Sequence, residues 1–114
     1  MATITSVGTG LWSASGTWDA GIPQDGDNVV IDTSHVVTFD VDQSAWVIGI
    51  SDLVINGTLK LSRISGTYRM FIEAGKDIKG SGIFDAGTEG DKIPFVAKHI
   101  ITGGSSWQFY GFSG

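Results

Sequence analysis

An Ile-x-Gly phrase occurs three times in this sequence, as Ile55-Asn56-Gly57, Ile78-Lys79-Gly80 and Ile101-Thr102-Gly103. Its isoleucines are evenly spaced along the chain, and Ile31 precedes the first of them by almost the same spacing. A fixed period of this length, carried by a short β-branched strand that ends at a turn glycine, is typical of a stacked solenoid. The pattern therefore predicts about four coils of a short right-handed parallel β-helix.

Strand geometry predicts how these residues are used. Equivalent residues of successive coils lie about 4.8 Å apart, so that like side chains stack into inward ladders. The predicted ladder is Ile31, Ile55, Ile78 and Ile101. The glycines expected at positive-φ corners are Gly57, Gly80 and Gly103. An antiparallel β-sandwich is the alternative fold, because it also shows short strands and regular turn signals.

Composition limits the class of protein. The 114 residues make one domain, 17 of them are glycine, and no stretch has the apolar stripe of an amphipathic helix. The chain is therefore expected to be all-β. Its net charge of −5 argues against nucleic acid, which requires a basic face.

Cysteine is absent, which excludes disulfides and thiolate metal sites. Residues 1–10 lack the basic and apolar regions of a signal peptide, and no apolar run is long enough for a membrane span. We expect no membrane partner, and folding in a cytoplasm.

The N-terminal part is expected to lie ahead of the first coil and to cover the end of the stack. Residues 1–10 read as an arm or an edge strand, and residues 11–114 as the single β-helical domain. Trp12 and Trp18 flank a Ser/Gly turn ahead of the first predicted coil. Large aromatic side chains there suit a cap over the open end of a stack, and a sugar-stacking platform is the other interpretation.

Two segments are candidate contact surfaces for a partner. The polar break at residues 62–68 is predicted to be an external loop that brings Tyr68 and Arg69 to the surface. The C-terminal segment is aromatic, and its candidate interface residues are Trp107, Phe109, Tyr110 and Phe112. An aromatic cluster at a chain end is expected either to cover the last coil or to enter a neighbouring subunit.

A catalytic site is not predicted. Glycosidases need two carboxylates at a set separation, but Glu73 and Glu89 are the only glutamates, and Glu89 belongs to a Gly-rich turn. His35 and His99 lie beside strands, and no serine has the Gly-x-Ser-x-Gly context. The acidic turn around Asp25 lacks the spacing of a helix-loop-helix calcium site. We therefore expect a protein that is not an enzyme and has no cofactor or metal.

The order of motifs resembles the domain named for its eight glycines, over roughly residues 12–103. The motifs that carry the resemblance are Trp12, Trp18, Gly21-Ile22-Pro23, Gly26-Asp27, Leu53-x-Ile55-x-Gly57, Ile78-x-Gly80-x-Gly82 and Ile93-Pro94. That domain occurs in fibrocystin and in cell-surface hyaluronan-degrading proteins, and similar stretches open many bacterial and phage β-helix proteins. The resemblance implies a right-handed β-helix and an extracellular or virion-surface location, and it brings no catalytic residues.

These observations predict a non-catalytic structural virion protein, a phage capsid decoration or cement protein that acts as a homo-oligomer. A homotrimer is the expected assembly, because a short stack exposes a large share of its surface at its ends and sides. The expected partners are further copies of the chain and the major capsid protein or another virion protein. The alternative is a carbohydrate-binding module, or an adhesin or tailspike fragment, in which Trp46, Tyr68 or Trp107 stacks on a glycan.

Overall fold

The structure, a computed structural model, describes residues 2–76, 78–87, 92–94 and 97–103. Within these ranges the chain forms strands joined by turns, and one turn of 3-10 helix at Ser15–Thr17 is the only helical segment. The strands are β1 (Thr3–Thr5), β2 (Gly10–Leu11), β3 (Asn28–Ile31), β4 (Val36–Phe39), β5 (Leu53–Ile55), β6 (Thr58–Leu61), β7 (Gly66–Ile72), β8 (Ile78–Lys79), β9 (Ile83–Asp85) and β10 (Ala97–Gly103).

Three parallel sheets run along the molecule. Two have four strands, in the orders β1-β3-β5-β8 and β2-β4-β6-β9, and the third pairs β7 with β10. Because neighbours in each sheet come from successive coils, the chain makes three turns between β1 and β8 and continues into a fourth through β9 and β10. The predicted short parallel β-helix is confirmed. The sandwich alternative is wrong, because the pairing between these strands is parallel and sandwiches are built from antiparallel sheets.

Alternation along each strand places the core inside the coil. In β3, Val29 and Ile31 are fully buried while Val30 between them is partly exposed, and β4, β5 and β6 alternate in the same way. Successive side chains of a strand point to opposite faces, so every second residue of each coil enters one continuous core. β-branched residues suit this half-buried, pleated position.

The predicted isoleucine ladder is wrong in its register. Ile31 pairs with Ile55, but Ile78 pairs with Leu53. The ladder that runs through all four strands of this sheet is Ile4, Val29, Leu53 and Ile78. The Ile-x-Gly phrase recurs at a slightly shorter spacing than the coil, so Ile78 comes two positions before the partner of Ile55. A shift of two positions keeps a side chain on the same face, which is why Ile78 is still fully buried.

Ile101 belongs to another face of the solenoid. It lies in β10 opposite Met70 of β7 and packs partly buried against the core. The connection between β9 and β10 runs from residue 86 to residue 96, whereas residues 62–65 suffice between β6 and β7. The longer connection leaves Ile101 within the fourth coil instead of starting another.

The three phrase glycines have different roles. Gly80 has a φ of 120°, as expected for a corner, and a Cβ there would also collide with the backbone of Ile55. Gly57 has no positive φ, and its lack of a side chain instead permits close approach to the carbonyl oxygens of Asp32 and His35. Gly103 is the last residue of β10 and pairs with Ile72.

Candidate functional sites

Tyr68 and Arg69, both expected on an external loop, lie in strand β7, which already begins at Gly66. Tyr68 stacks on the ring of His99 with centroids 4.8 Å apart, and its hydroxyl donates to the carbonyl of Ile64 at 2.8 Å. Arg69 forms an ion pair with Asp42 in which Nη1 and Oδ2 are 2.9 Å apart. Both side chains are therefore only partly exposed and already have partners within the chain.

The four aromatic residues predicted as an interface at the C-terminus, Trp107, Phe109, Tyr110 and Phe112, lie outside the described residues. Their role as lid or subunit contact stays a prediction.

Trp12 and Trp18 are buried at the first coil, at 0% and 4% exposure. Their rings meet edge to face with centroids 5.1 Å apart, and Trp12 meets Phe39 in the same way at 5.0 Å. The indole N–H of Trp18 donates to the carbonyl of Trp12 at 2.9 Å. The two tryptophans thus form one packed unit over the core of the second coil.

The segment that carries Trp18 also covers the strand edges of the first coil. Trp18 bridges Ser6 in antiparallel fashion, and the flanking N–H groups of Val7 and Asp19 donate to Thr17 and Thr5. The carbonyl of Leu11 in β2 accepts bonds from the N–H of Ala14 and the hydroxyl of Thr17. We call this the capped end. Its edge groups at Thr5, Val7 and Leu11 are hydrogen-bonded within the chain, which shortens the free edge available for strand addition.

The last coil has the opposite character. Strands β8, β9 and β10 are each the outermost strand of their sheet, and no strand of the described ranges pairs with their outer edges. We call these three edges the open end. Unpaired N–H and C=O groups along a strand edge favour pairing with a further strand.

A cleft of about 200 Å³ opens on the third face of the solenoid, beside the segment 41–50 of the second coil. Ile22, Pro23 and Val41 give it apolar walls, the half-buried Trp46 adds an aromatic wall, and Gln24 and Asp42 add polar groups. Trp12 and Gln43, which are 0% and 1% exposed, form its buried part.

Two of the residues that line this cleft carry a fully buried hydrogen-bond donor. Gln43 is held against β7, because its Oε1 accepts from the N–H of Phe71 at 2.9 Å and its own backbone N–H donates to the carbonyl of Arg69. This arrangement leaves Nε2 of Gln43 without an acceptor among the described residues, and the same holds for Nε1 of Trp12. Buried polar groups are nearly always paired, so two unpaired donors in one cleft distinguish it from an ordinary surface depression.

The loop next to Trp46 is fixed by one carboxylate. Asp25 accepts hydrogen bonds from three consecutive N–H groups, those of Val47 at 2.8 Å, Ile48 at 3.1 Å and Gly49 at 2.7 Å. The bond from Val47 does most to lower the pKa of Asp25; desolvation opposes it, and the bonds from Gly49 and Ile48 add to it. The loop is thereby held in a conformation that leaves the side chains of Val47 and Ile48 83% and 51% exposed.

Asp42 at the cleft also keeps its charge. Desolvation raises its pKa, but hydrogen bonds from Ser44 and the charge and hydrogen bond of Arg69 outweigh that effect, so the pKa of Asp42 is lowered. The cleft therefore presents a carboxylate at neutral pH, with Arg69 as its counter-ion.

The part of the chain that the structure describes contains no group of three or more His, Cys, Asp or Glu side chains that could hold a metal ion. It also contains no helix long and apolar enough to cross a membrane.

The fold defines the chain as a short parallel β-solenoid with one capped end, one open end and a cleft on its third face. No family model matches the sequence, and neither a curated protein nor a solved structure matches the chain.

Of the cleft residues, the sequence pattern singled out Trp12 as a cap and Trp46 as a possible stacking platform. It missed Gln43, a buried polar residue of the kind that needs a structural reason. The one available signal is its position directly after the alternating run that ends at Asp42, where the chain leaves the regular strand pattern.

Proposed function

We propose that this protein is a non-catalytic structural module that associates with copies of itself through its open end. The open end carries the proposal. Three outer strand edges meet there with no pairing partner among residues 2–76, 78–87, 92–94 and 97–103, whereas the capped end has its edge groups hydrogen-bonded. An uncovered β edge is a liability for a soluble protein unless something pairs with it or covers it. A homotrimer is the expected assembly.

We further propose that the assembly decorates a phage capsid as a cement protein on the virion surface. The resemblance to phage β-helix proteins supports this location. Exposed aliphatic side chains on hydrogen-bonded loops support a docking role, since Val47 is 83% and Ile64 72% exposed. Asp25 holds the first loop, while the hydroxyls of Tyr68 and Ser62 bond to the backbone of Ile64 in the second. Rigid apolar tips suit contact with an underlying protein shell.

The self-association is tested by a matched pair of variants. Leu11 in β2 and Ile83 in β9 lie on opposite ends of one sheet and are almost equally exposed, at 45% and 44%. A lysine on a strand edge disfavours pairing with another chain. In light scattering, the wild-type chain should have a mass near three times 12.0 kDa, Ile83→Lys should lower the assembled fraction, and Leu11→Lys should not.

A monomer at all concentrations would overturn the proposed assembly, and so would equal effects of the two lysine variants. Deletion of residues 107–114 is a further arm of the same experiment. Loss of assembly in the deleted chain would assign the aromatic segment to the subunit interface.

The location is tested separately. An antibody against the chain should label intact particles in the density-banded virus fraction of the source culture. Antibody pre-absorbed with the purified protein provides the control. Labelling confined to cells or to soluble secreted material would exclude the virion surface.

A further inference from the structure

We propose that the cleft between Trp12, Gln43 and Trp46 binds one neutral sugar ring, either as a free monosaccharide or as the terminal unit of a glycan. This is a binding role beyond the proposed structural one, and it does not depend on self-association. The inference starts from two buried donors, the indole Nε1 of Trp12 and the amide Nε2 of Gln43, which have no acceptor among the described residues.

The donors are preorganised. Trp12 is fixed by edge-to-face contacts with Trp18 and Phe39, at 5.1 and 5.0 Å between centroids. The amide of Gln43 is oriented by the bond from the N–H of Phe71 to its Oε1, which assigns the other end of the amide as the free donor. Both donors are buried beneath the cleft surface, so a ligand oxygen that reaches them gains a hydrogen bond to a side chain that is already ordered, and that preorganisation favours binding.

The other residues that line the cleft indicate which apolar and polar groups a ligand should carry. Trp46 offers a partly exposed ring face, and Ile22, Pro23 and Val41 offer apolar surface. Asp42 and Gln24 add acceptors for hydroxyl groups. A ring with apolar C–H faces and hydroxyls at its edge matches both parts, because few polar groups within an apolar lining is the usual composition of small-molecule sites.

The charge around the cleft and its volume restrict the class of ligand further. A carboxylate or phosphate would meet the charge of Asp42 and a chain of net charge −5, which disfavours anions. A simple cation has no acceptor to offer the two donors. The cleft volume of about 200 Å³ is below the roughly 300 Å³ at which pockets for larger ligands begin. One ring is therefore the expected occupant.

The test is a calorimetric and NMR titration of the full chain with neutral hexoses, their methyl glycosides, neutral oligosaccharides and matched uronic acids. Three variants locate the site. Trp46→Ala removes the aromatic wall, and Gln43→Glu keeps an oxygen for the N–H of Phe71 while replacing the free donor with an acceptor. Val47→Ala is the control, because Val47 is exposed and does not line the cleft.

We expect saturable binding of at least one neutral sugar, weakened at least tenfold by Trp46→Ala and by Gln43→Glu and unchanged by Val47→Ala. The thermal unfolding of each variant shows whether the fold is kept, and Trp46→Ala keeps the test decisive if Gln43→Glu does not fold. Equal binding of a monosaccharide and a longer glycan would identify a free sugar as sufficient, and binding of the glycan alone would identify a terminal unit; both support the site. A flat titration across the panel would overturn it, as would tighter binding of the uronic acids or binding that the cleft variants leave intact.

Discussion

The first two sheets and the third face of the solenoid are built differently, although the same coils contribute to both. In the sheets β1-β3-β5-β8 and β2-β4-β6-β9, each coil supplies one strand, and inward side chains stack in register. On the third face, β7 and β10 are the strands, and the second coil contacts β7 through bridges at Asp42 and Ile50. The regular faces provide most of the core, the third face adds Ile50, Met70 and Ile72, and the cleft lies where the repeat is interrupted.

Because of this difference, the two regular sheets and the segment 41–50 are expected to contribute differently to the stability of the fold. Stacked repeats gain their stability from contacts with neighbouring coils, so each regular rung adds to the same cooperative unit. The segment 41–50 contributes fewer ladder bonds and depends instead on single side chains such as Asp25 and Gln43. Substitutions of buried residues in the regular sheets should therefore affect unfolding, and substitutions of Asp25 or Gln43 should affect local order or binding.

The largest loss of stability is expected at the continuous ladder. Ile78→Ala should cost about 2 to 5 kcal/mol, because Ile78 is fully buried and its removal leaves a cavity beside Leu53. Urea denaturation of the two proteins measures this difference. Ile83→Ala serves as the control, since Ile83 is 44% exposed on the same coil and should change stability by less than about 0.5 kcal/mol.

A double-mutant cycle tests the register between strands β5 and β8. Contacting residues couple by about 0.5 to 3 kcal/mol, so Ile78→Ala should couple more strongly to Leu53→Ala than to Ile55→Ala. The opposite order would favour the ladder that the sequence pattern predicted.

Alanine substitutions at two glycines distinguish the cost of backbone strain from the cost of a steric clash between coils. Gly75 and Gly80 both have positive φ, at 83° and 120°, but a Cβ at Gly75 meets open space and one at Gly80 meets the backbone of Ile55. Gly75→Ala should cost about 1 to 2 kcal/mol from strain alone. Gly80→Ala should cost clearly more, measured by the same denaturation, and equal losses would contradict the contact between coils.

A smaller effect is expected at the ion pair between Arg63 and Asp85. Its atoms Nη2 and Oδ1 are 2.8 Å apart, and the two side chains are 14% and 16% exposed. Arg63→Ala should cost about 1 to 3 kcal/mol, because Asp85 then loses a charged donor. Lys79→Ala is the matched control, since Lys79 and Asp52 are 3.6 Å apart and largely exposed, and such pairs contribute little.

The same pair predicts a dependence on pH. Desolvation raises the pKa of Asp85, but bonds from Arg63 and the N–H of Gly87 outweigh it and lower the pKa overall. A lowered pKa stabilises the fold fully above the unfolded value of about 4, and that stabilisation is lost as pH falls through the lower folded value. The difference in urea midpoint between wild type and Arg63→Ala should therefore shrink from pH 6 to pH 3. A difference that grew at acid pH would contradict this assignment.

The smallest global effect is expected on the third face. Asp25→Ala should speed amide hydrogen exchange at Val47, Ile48 and Gly49, which lose their common acceptor, while the amides of β5 keep their protection. Because the pKa of Asp25 is lowered, the wild-type loop should keep this protection on acidification until the pH falls below the usual aspartate range. Slow exchange retained in the variant would show that other contacts hold the loop.

The sequence predicted the architecture because the architecture is local and repetitive. Two-residue alternation and recurring glycines follow directly from strand and corner geometry, so the coils and the burial of Ile78 could be predicted. The register could not, because coils of unequal length coexist and a shift of two positions preserves the inward face. Ile101 was misplaced for the related reason that one connection is longer.

The cleft could not be predicted from the sequence, for a different reason. Trp12 and Gln43 are far apart in the sequence and line the same cleft only because one coil stacks on the next. A free donor on Gln43 follows from the bond between its other amide atom and the N–H of Phe71, and this contact crosses between coils. No local pattern encodes a missing hydrogen-bond partner.

The capped end restricts the kind of assembly that we propose for this molecule. Residues 17–19 pair with residues 5–7 at the end of β1, so this stretch of the edge is not free to receive a strand from a second copy. Head-to-tail addition, which would propagate without limit into a fibre, is therefore disfavoured at this surface. The proposed assembly is therefore left with the open ends and the sides of the coils as contact surfaces, and a short antiparallel segment carrying one tryptophan contributes to that limit.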